Sequence, residues 1–106
     1  MNYRFMRIIV FFDLPVIEIN DRREYTRFRK HLIKMGFIMM QESVYSKLAL
    51  NTTAANAIIE NIKKARPDKG IVQMITITEK QYSKMQFLVG EAQCDVVDTD
   101  ERFIQL

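Results

Sequence analysis

The sequence predicts an α+β sandwich: one antiparallel sheet with two helices on the same face. Three observations predict it. The apolar run Ile8-Ile9-Val10-Phe11-Phe12 ends abruptly at Asp13, with Pro15 two positions on. Two later segments repeat apolar residues at helical spacing, and three more are rich in β-branched and aromatic residues. Their order is strand, helix, strand, strand, helix, strand.

The first run has no period-2 alternation, so it reads as a central strand buried on both faces. Pro15 lacks an N–H and cannot extend such a strand, so pairing stops near Asp13. Val16 to Asn20 reads as a loop. Asp21 is placed to cap the first helix, with Glu24 completing a capping box. Tyr25, Phe28, Leu32 and Met35 share the buried face, and Gly36 ends the helix. Segments 37–41 and 44–50, divided near Glu42-Ser43, form either a tight hairpin or one bent strand. A cap from Asn51, Thr52 or Thr53 opens the second helix. Its core positions are Ala55, Ile58, Ile59, Ile62 and Ala65, and it stops before Pro67. Asp68-Lys69-Gly70 is a turn, Ile71 to Thr78 an alternating strand, and 79–85 one helical turn. Met39, Met40 and Met74 read as core filler.

Right-handed crossovers turn this order into a ferredoxin-like βαββαβ domain. The domain occupies residues 1–86. Residues 87–106, with Val96-Val97 and 102–106 as candidate extra strands, exceed what the unit needs. Such an apolar extension suits pairing with another chain's sheet edge.

At 106 residues and 48% hydrophobic content, the core is modest, and a small domain gains from self-association. A homo-oligomer is therefore expected. Charge is unevenly spread. Residues 1–90 hold 15 of the 16 Lys and Arg against 8 acids, or +7, whereas residues 91–106 hold one Arg against five acids, or −4. A basic body suits a polyanionic partner. The single cysteine, Cys94, excludes an intrachain disulfide and fits a reducing cytoplasm. The apolar run near the N-terminus is too short for a secretory core, and no membrane span is present.

Two features carry potential chemistry. Arg23, Arg27, Lys30 and Lys34 fall within about 60° on a helix and span about 16 Å, opposite the apolar face. That length matches several phosphates of a duplex, spaced about 3.4 Å apart on each strand. Arg22 joins them at the helix start. A solvated helix surface is the ordinary reading of such a row, but like charges at i,i+4 cost helix stability and call for an offsetting role. The second feature is Asp13. Mg²⁺ needs several oxygen ligands, so one carboxylate must either be shared across a two-fold axis or serve only the turn. His31 lies at the boundary of the first helix's apolar face. No nucleophilic triad or glycine-rich phosphate loop occurs.

The segments Arg7-Ile-Ile-Val-Phe-Phe-Asp13-Leu-Pro15, Tyr25-x-x-Phe-Arg-Lys30 and Gly36-Phe-Ile-Met-Met-Gln-Glu-Ser-Val-Tyr-Ser-Lys47 resemble the CRISPR-associated protein two family. Thr76-Ile-Thr-Glu-Lys-Gln81 and Asp100-Glu-Arg-Phe103 resemble its type II-A branch. The resemblance implies a ferredoxin-like homodimer that bridges dimers of the larger integrase (Cas one) and holds the prespacer duplex during spacer acquisition. For some members it also implies a metal-dependent endonuclease or endoribonuclease. Carried over, the catalytic and Mg²⁺-binding acid is Asp13, one from each protomer. The DNA contacts are Arg22, Arg23, Arg27 and Lys30, with Lys34 extending the row.

Overall fold

The computed structural model describes residues 5–90. Its elements are β1 (Met6–Asp13), α1 (Ile19–Lys34), β2 (Ile38–Gln41), β3 (Val44–Ala49), α2 (Thr52–Ala65), β4 (Ile71–Thr78) and the short α3 (Glu79–Ser83). The four strands form one sheet in the order β2-β3-β1-β4, with every neighbouring pair antiparallel. This is the ferredoxin-like arrangement that the element order predicts.

β1 sits between β3 and β4, and its alternate residues separate two environments. Ile8, Val10 and Phe12 face the helices and are buried with Phe28 and Leu32 of α1, and with Ala55 and Ile62 of α2. Phe12 is the hub. Its ring meets Phe28 edge-on at 5.3 Å and Tyr25 at 5.7 Å, and stacks against Tyr45 at 5.7 Å. Each such aromatic pair adds about 0.5–1.5 kcal/mol beyond the area it buries.

Neither α1 nor α2 packs on the other face of the sheet; the short α3 meets it at Arg7, through Glu79 and Tyr82. Phe11 there is 39% exposed, and Ile38, Leu48, Ile71 and Ile75 are exposed with it. The expectation that β1 is buried on both faces therefore needs correction. Ile9 is buried at 5% exposure, whereas Phe11 beside it on the same face stays exposed among the described residues. Continuous hydrophobicity in β1 reflects one face packed on helices and a second apolar face left open.

Local chemistry fixes the joins. Gly36 takes φ +98° directly after the last turn of α1, as a helix stop requires. Glu42-Ser43 closes a tight β2–β3 hairpin, which decides between the two readings of 37–50. The pairing is irregular between Met39 and Gln41, and Met39 is exposed rather than core filler. Asn51 caps α2, its Oδ1 accepting from the Ala54 N–H at 2.8 Å. Thr78 and Gln81 make a reciprocal capping box that starts α3. Phe87 to Gly90 is exposed and forms no strand; the candidate strands at Val96-Val97 and 102–106 lie outside the described residues.

Candidate nucleic-acid interface and the acid ending the first strand

Asp13 is the last residue of β1, opposite Ile71 at the start of β4. It is solvent-exposed, and its side chain makes no hydrogen bond or ion pair among the described residues. Alternation from Phe11 places it on the open face. Gly70 holds the backbone there. Its φ is +88°, and a Cβ on it would lie 2.6 Å from the Asp13 carbonyl oxygen and 2.8 Å from Leu14 Cδ2. The strand end carrying the acid is thus pinned by the turn before β4. No group of three or more metal-ligating side chains occurs among the described residues. One carboxylate beside Ile71 does not fit the oxygen-rich shell of Mg²⁺, so a single chain does not make that site.

The first helix begins at Ile19, two residues before the expected cap. Its N-cap, Glu18, makes no side-chain cap bond. Asp21 lies instead in the first turn, buried, with Lys69 Nζ at 3.5 Å from its carboxylate. It favours the positive end of the helix dipole and ties α1 to the turn before β4. Beside it a cleft of about 380 Å³ is lined by Pro15, Asp21, Arg23, Glu24, Asp68 and Lys69. Three acids against two bases make it a poor phosphate cradle.

Each basic residue has a distinct setting. Arg22 Nη1 donates to the carbonyls of Ile17 at 2.8 Å and Val16 at 3.2 Å, holding the loop that leaves β1. With that loop fixed, Ile17 stands 84% exposed. Arg27 is paired with Glu24: Nη2 donates to Oε1 at 2.9 Å, and Nε contacts both carboxylate oxygens. This hydrogen bond raises the Arg27 pKa and lowers that of Glu24. The row is therefore interrupted by one acid, three residues before Arg27. Arg23, Lys30 and Lys34 are exposed and enter no salt bridge among the described residues. His31 is a boundary residue, as its position implies, with Nε2 donating to Asn61 Oδ1 at 3.0 Å.

The family model for CRISPR associated protein Cas2 matches residues 6–85. The chain belongs to the Cas2 family. A CRISPR-associated endoribonuclease Cas2 of Treponema denticola is 54% identical over 101 residues, covering 95% of this chain and all of that protein. Proteins of the same name from Ligilactobacillus salivarius and Streptococcus mutans serotype c (strain UA159) are 45% and 44% identical over 101 residues. Each alignment covers 95% of this chain, with 100% and 93% of the relative. A solved structure described as a crystal structure of Cas2 superposes with TM-score 0.58 at 19% identity, covering 88% of this chain and 95% of that one; it supports the fold alone.

Within this Cas2-family fold, the residues singled out by sequence do not form one cluster. Asp13 stands on the open sheet face, whereas the cations follow α1 on the helical side. Sequence reasoning missed the ion pair of Arg7 with Glu79, in which Nε and Nη2 donate at 2.8 and 2.6 Å. The Arg7 guanidinium also lies 4.2 Å from the centre of the Tyr82 ring. The pair links residues 72 apart, so no local spacing signals it. Glu24 to Arg27 at i,i+3 was readable. No helix among the described residues is long and apolar enough to cross a membrane.

Proposed function

We propose that this chain is a DNA-binding subunit of cytoplasmic CRISPR adaptation, acting as a homodimer that bridges integrase (Cas one) dimers and holds the prespacer duplex. The observation that carries this reading is the row Arg23, Lys30 and Lys34, exposed and without acidic partners among the described residues. Such cations position a duplex through its phosphates and read little sequence. The open apolar face of the sheet supports the homodimer, because packing two copies there removes Phe11, Leu48 and Ile75 from water. The exposed segment Phe87-Leu88-Val89 suits the edge of a partner's sheet or the integrase.

The test is duplex binding measured across a range of salt. Replacing Arg23, Lys30 and Lys34 together by Ala is expected to weaken binding and to reduce the log–log salt slope by about 0.9 for each phosphate no longer neutralised. An unchanged slope rejects α1 as the binding surface.

A second reading is a metal-dependent endonuclease or endoribonuclease that uses paired Asp13 carboxylates. The relatives' names support nuclease chemistry, and the exposed, unpaired Asp13 stands on the face through which two copies would meet. The pair would supply the acid that one chain lacks for Mg²⁺. Labelled RNA and DNA incubated with and without Mg²⁺ address this reading. If it holds, Asp13→Asn abolishes the cleavage seen with the unaltered protein. Under the scaffold reading, spacer acquisition in cells survives the same substitution.

A further inference from the structure

The loop between β1 and α1 combines bare apolar side chains with a tethered backbone. Val16, Ile17 and Ile19 are 50%, 84% and 61% exposed, within four residues of one another. Single exposed aliphatics are ordinary on a protein surface, but a contiguous group marks a contact. The backbone beneath them is constrained at two points. Pro15 fixes its own φ where the loop begins. Arg22 Nη1 donates to the carbonyls of Val16 and Ile17 at 3.2 and 2.8 Å. An apolar projection ordered in advance is spared the entropy of ordering when it docks.

The charges beside the projection identify what it docks on. Arg22 and Arg23 follow it directly, are exposed, and enter no salt bridge among the described residues. Only Nη1 of Arg22 is engaged there, which leaves the donors on Nε and Nη2 uncommitted. Glu18 is the one acid of the loop, and the next two acids, Asp21 and Glu24, are already paired with Lys69 and Arg27. A nucleic-acid groove presents phosphates along its rims and base edges on its floor. An aliphatic tip beside two guanidiniums matches that layout: the cations hold the rim and the tip reaches the bases. Minor-groove proteins insert apolar side chains, isoleucine among them, between base steps in this way.

We propose that Ile17 is a wedge that enters the minor groove of the bound duplex and partly unstacks one base step, with Arg22 as the positioning residue that fixes its loop. The assignment rests on the duplex-binding function proposed above. It adds a preference for steps that deform easily, such as TA.

The test uses the full chain and a short duplex carrying 2-aminopurine at a TA step, whose fluorescence rises when the base unstacks. At saturating protein, the unaltered chain is expected to raise that fluorescence severalfold. Ile17→Ser is expected to abolish the rise and weaken binding severalfold with the salt slope unchanged, because a neutral side chain neutralises no phosphate. Its Tm is expected to match that of the unaltered chain, since the side chain is almost bare, so the loss cannot be ascribed to unfolding. Ile17→Phe is expected to keep the rise. Arg22→Lys keeps the charge but not the fork that spans two carbonyls, and is expected to keep the slope and lose the rise. A wild-type rise in Arg22→Lys overturns Arg22 as the positioning residue. Duplex bound without any rise overturns the wedge alone. A rise and affinity unchanged in Ile17→Ser assign the projection to a protein contact and overturn the base step as its occupant. Failure of the unaltered chain to bind duplex is a distinct result, which overturns the function proposed above and the wedge with it.

Discussion

Glu24 sets how much of the cationic row is free at neutral pH. The hydrogen bond from Arg27 holds its carboxyl below the usual carboxylate range. A carboxylate with a depressed folded pKa contributes its stabilisation above the ordinary range and loses it as pH falls through the depressed value. Acid therefore releases Arg27. At neutral pH, Glu24→Gln removes the competing charge and is expected to strengthen duplex binding, steepening the salt slope by about 0.9. Fluorescence anisotropy over a salt series reads this directly, and an unchanged slope places Arg27 away from the phosphates. At this scale, sequence legibility was uneven. The same kind of capping-box spacing occurs at Asp21–Glu24 and at Thr78–Gln81, yet only the second forms a box. Asp21 is drawn instead to Lys69, 48 positions away, and Glu24 to Arg27. Short acids have several competing donors, and spacing along the chain does not rank them.

The elements themselves were largely legible because each buries one periodic face. Phe28 and Leu32 of α1, and Ala55 and Ile62 of α2, recur at helical spacing and are all buried in the same core. Asn51 and Gly36 mark their boundaries by chemistry that acts within a few residues. The start of α1 was less legible, since Glu18 offers no side-chain cap and Arg22 secures the loop through its carbonyls. The candidate site was legible only in part: Asp13 and the row on α1 follow from local pattern, whereas the ion pair of Arg7 with Glu79 joins residues 72 apart. The junction of β1 and β4 makes a demand of its own. Gly70→Ala puts a Cβ into the Asp13 carbonyl at a left-handed backbone position. It is expected to cost more than about 1 kcal/mol in thermal unfolding and to move the amide signals of Asp13 and Leu14. An unperturbed spectrum counts against the turn as the support of Asp13.

For the whole molecule, the dominant fact is a sheet whose two long helices, α1 and α2, pack on one side. A row of exposed aliphatic and aromatic side chains on the other side is where a second copy gains most from packing. Phe11→Asp is expected to convert dimers to monomers in sedimentation velocity while leaving the helical circular dichroism intact, because Phe11 lies outside the helix-facing core. Persistent dimers assign the interface to another surface. The two flanks of the sheet also differ from one another. β2 has four residues and an irregular register, whereas β4 presents eight regularly paired with β1. A short, kinked border discourages lateral growth, and a long one invites it. With a single receptive border among the described residues, head-to-tail stacking into endless ribbons lacks its second docking point. Any self-association by this route is expected to close at a small, countable number of copies.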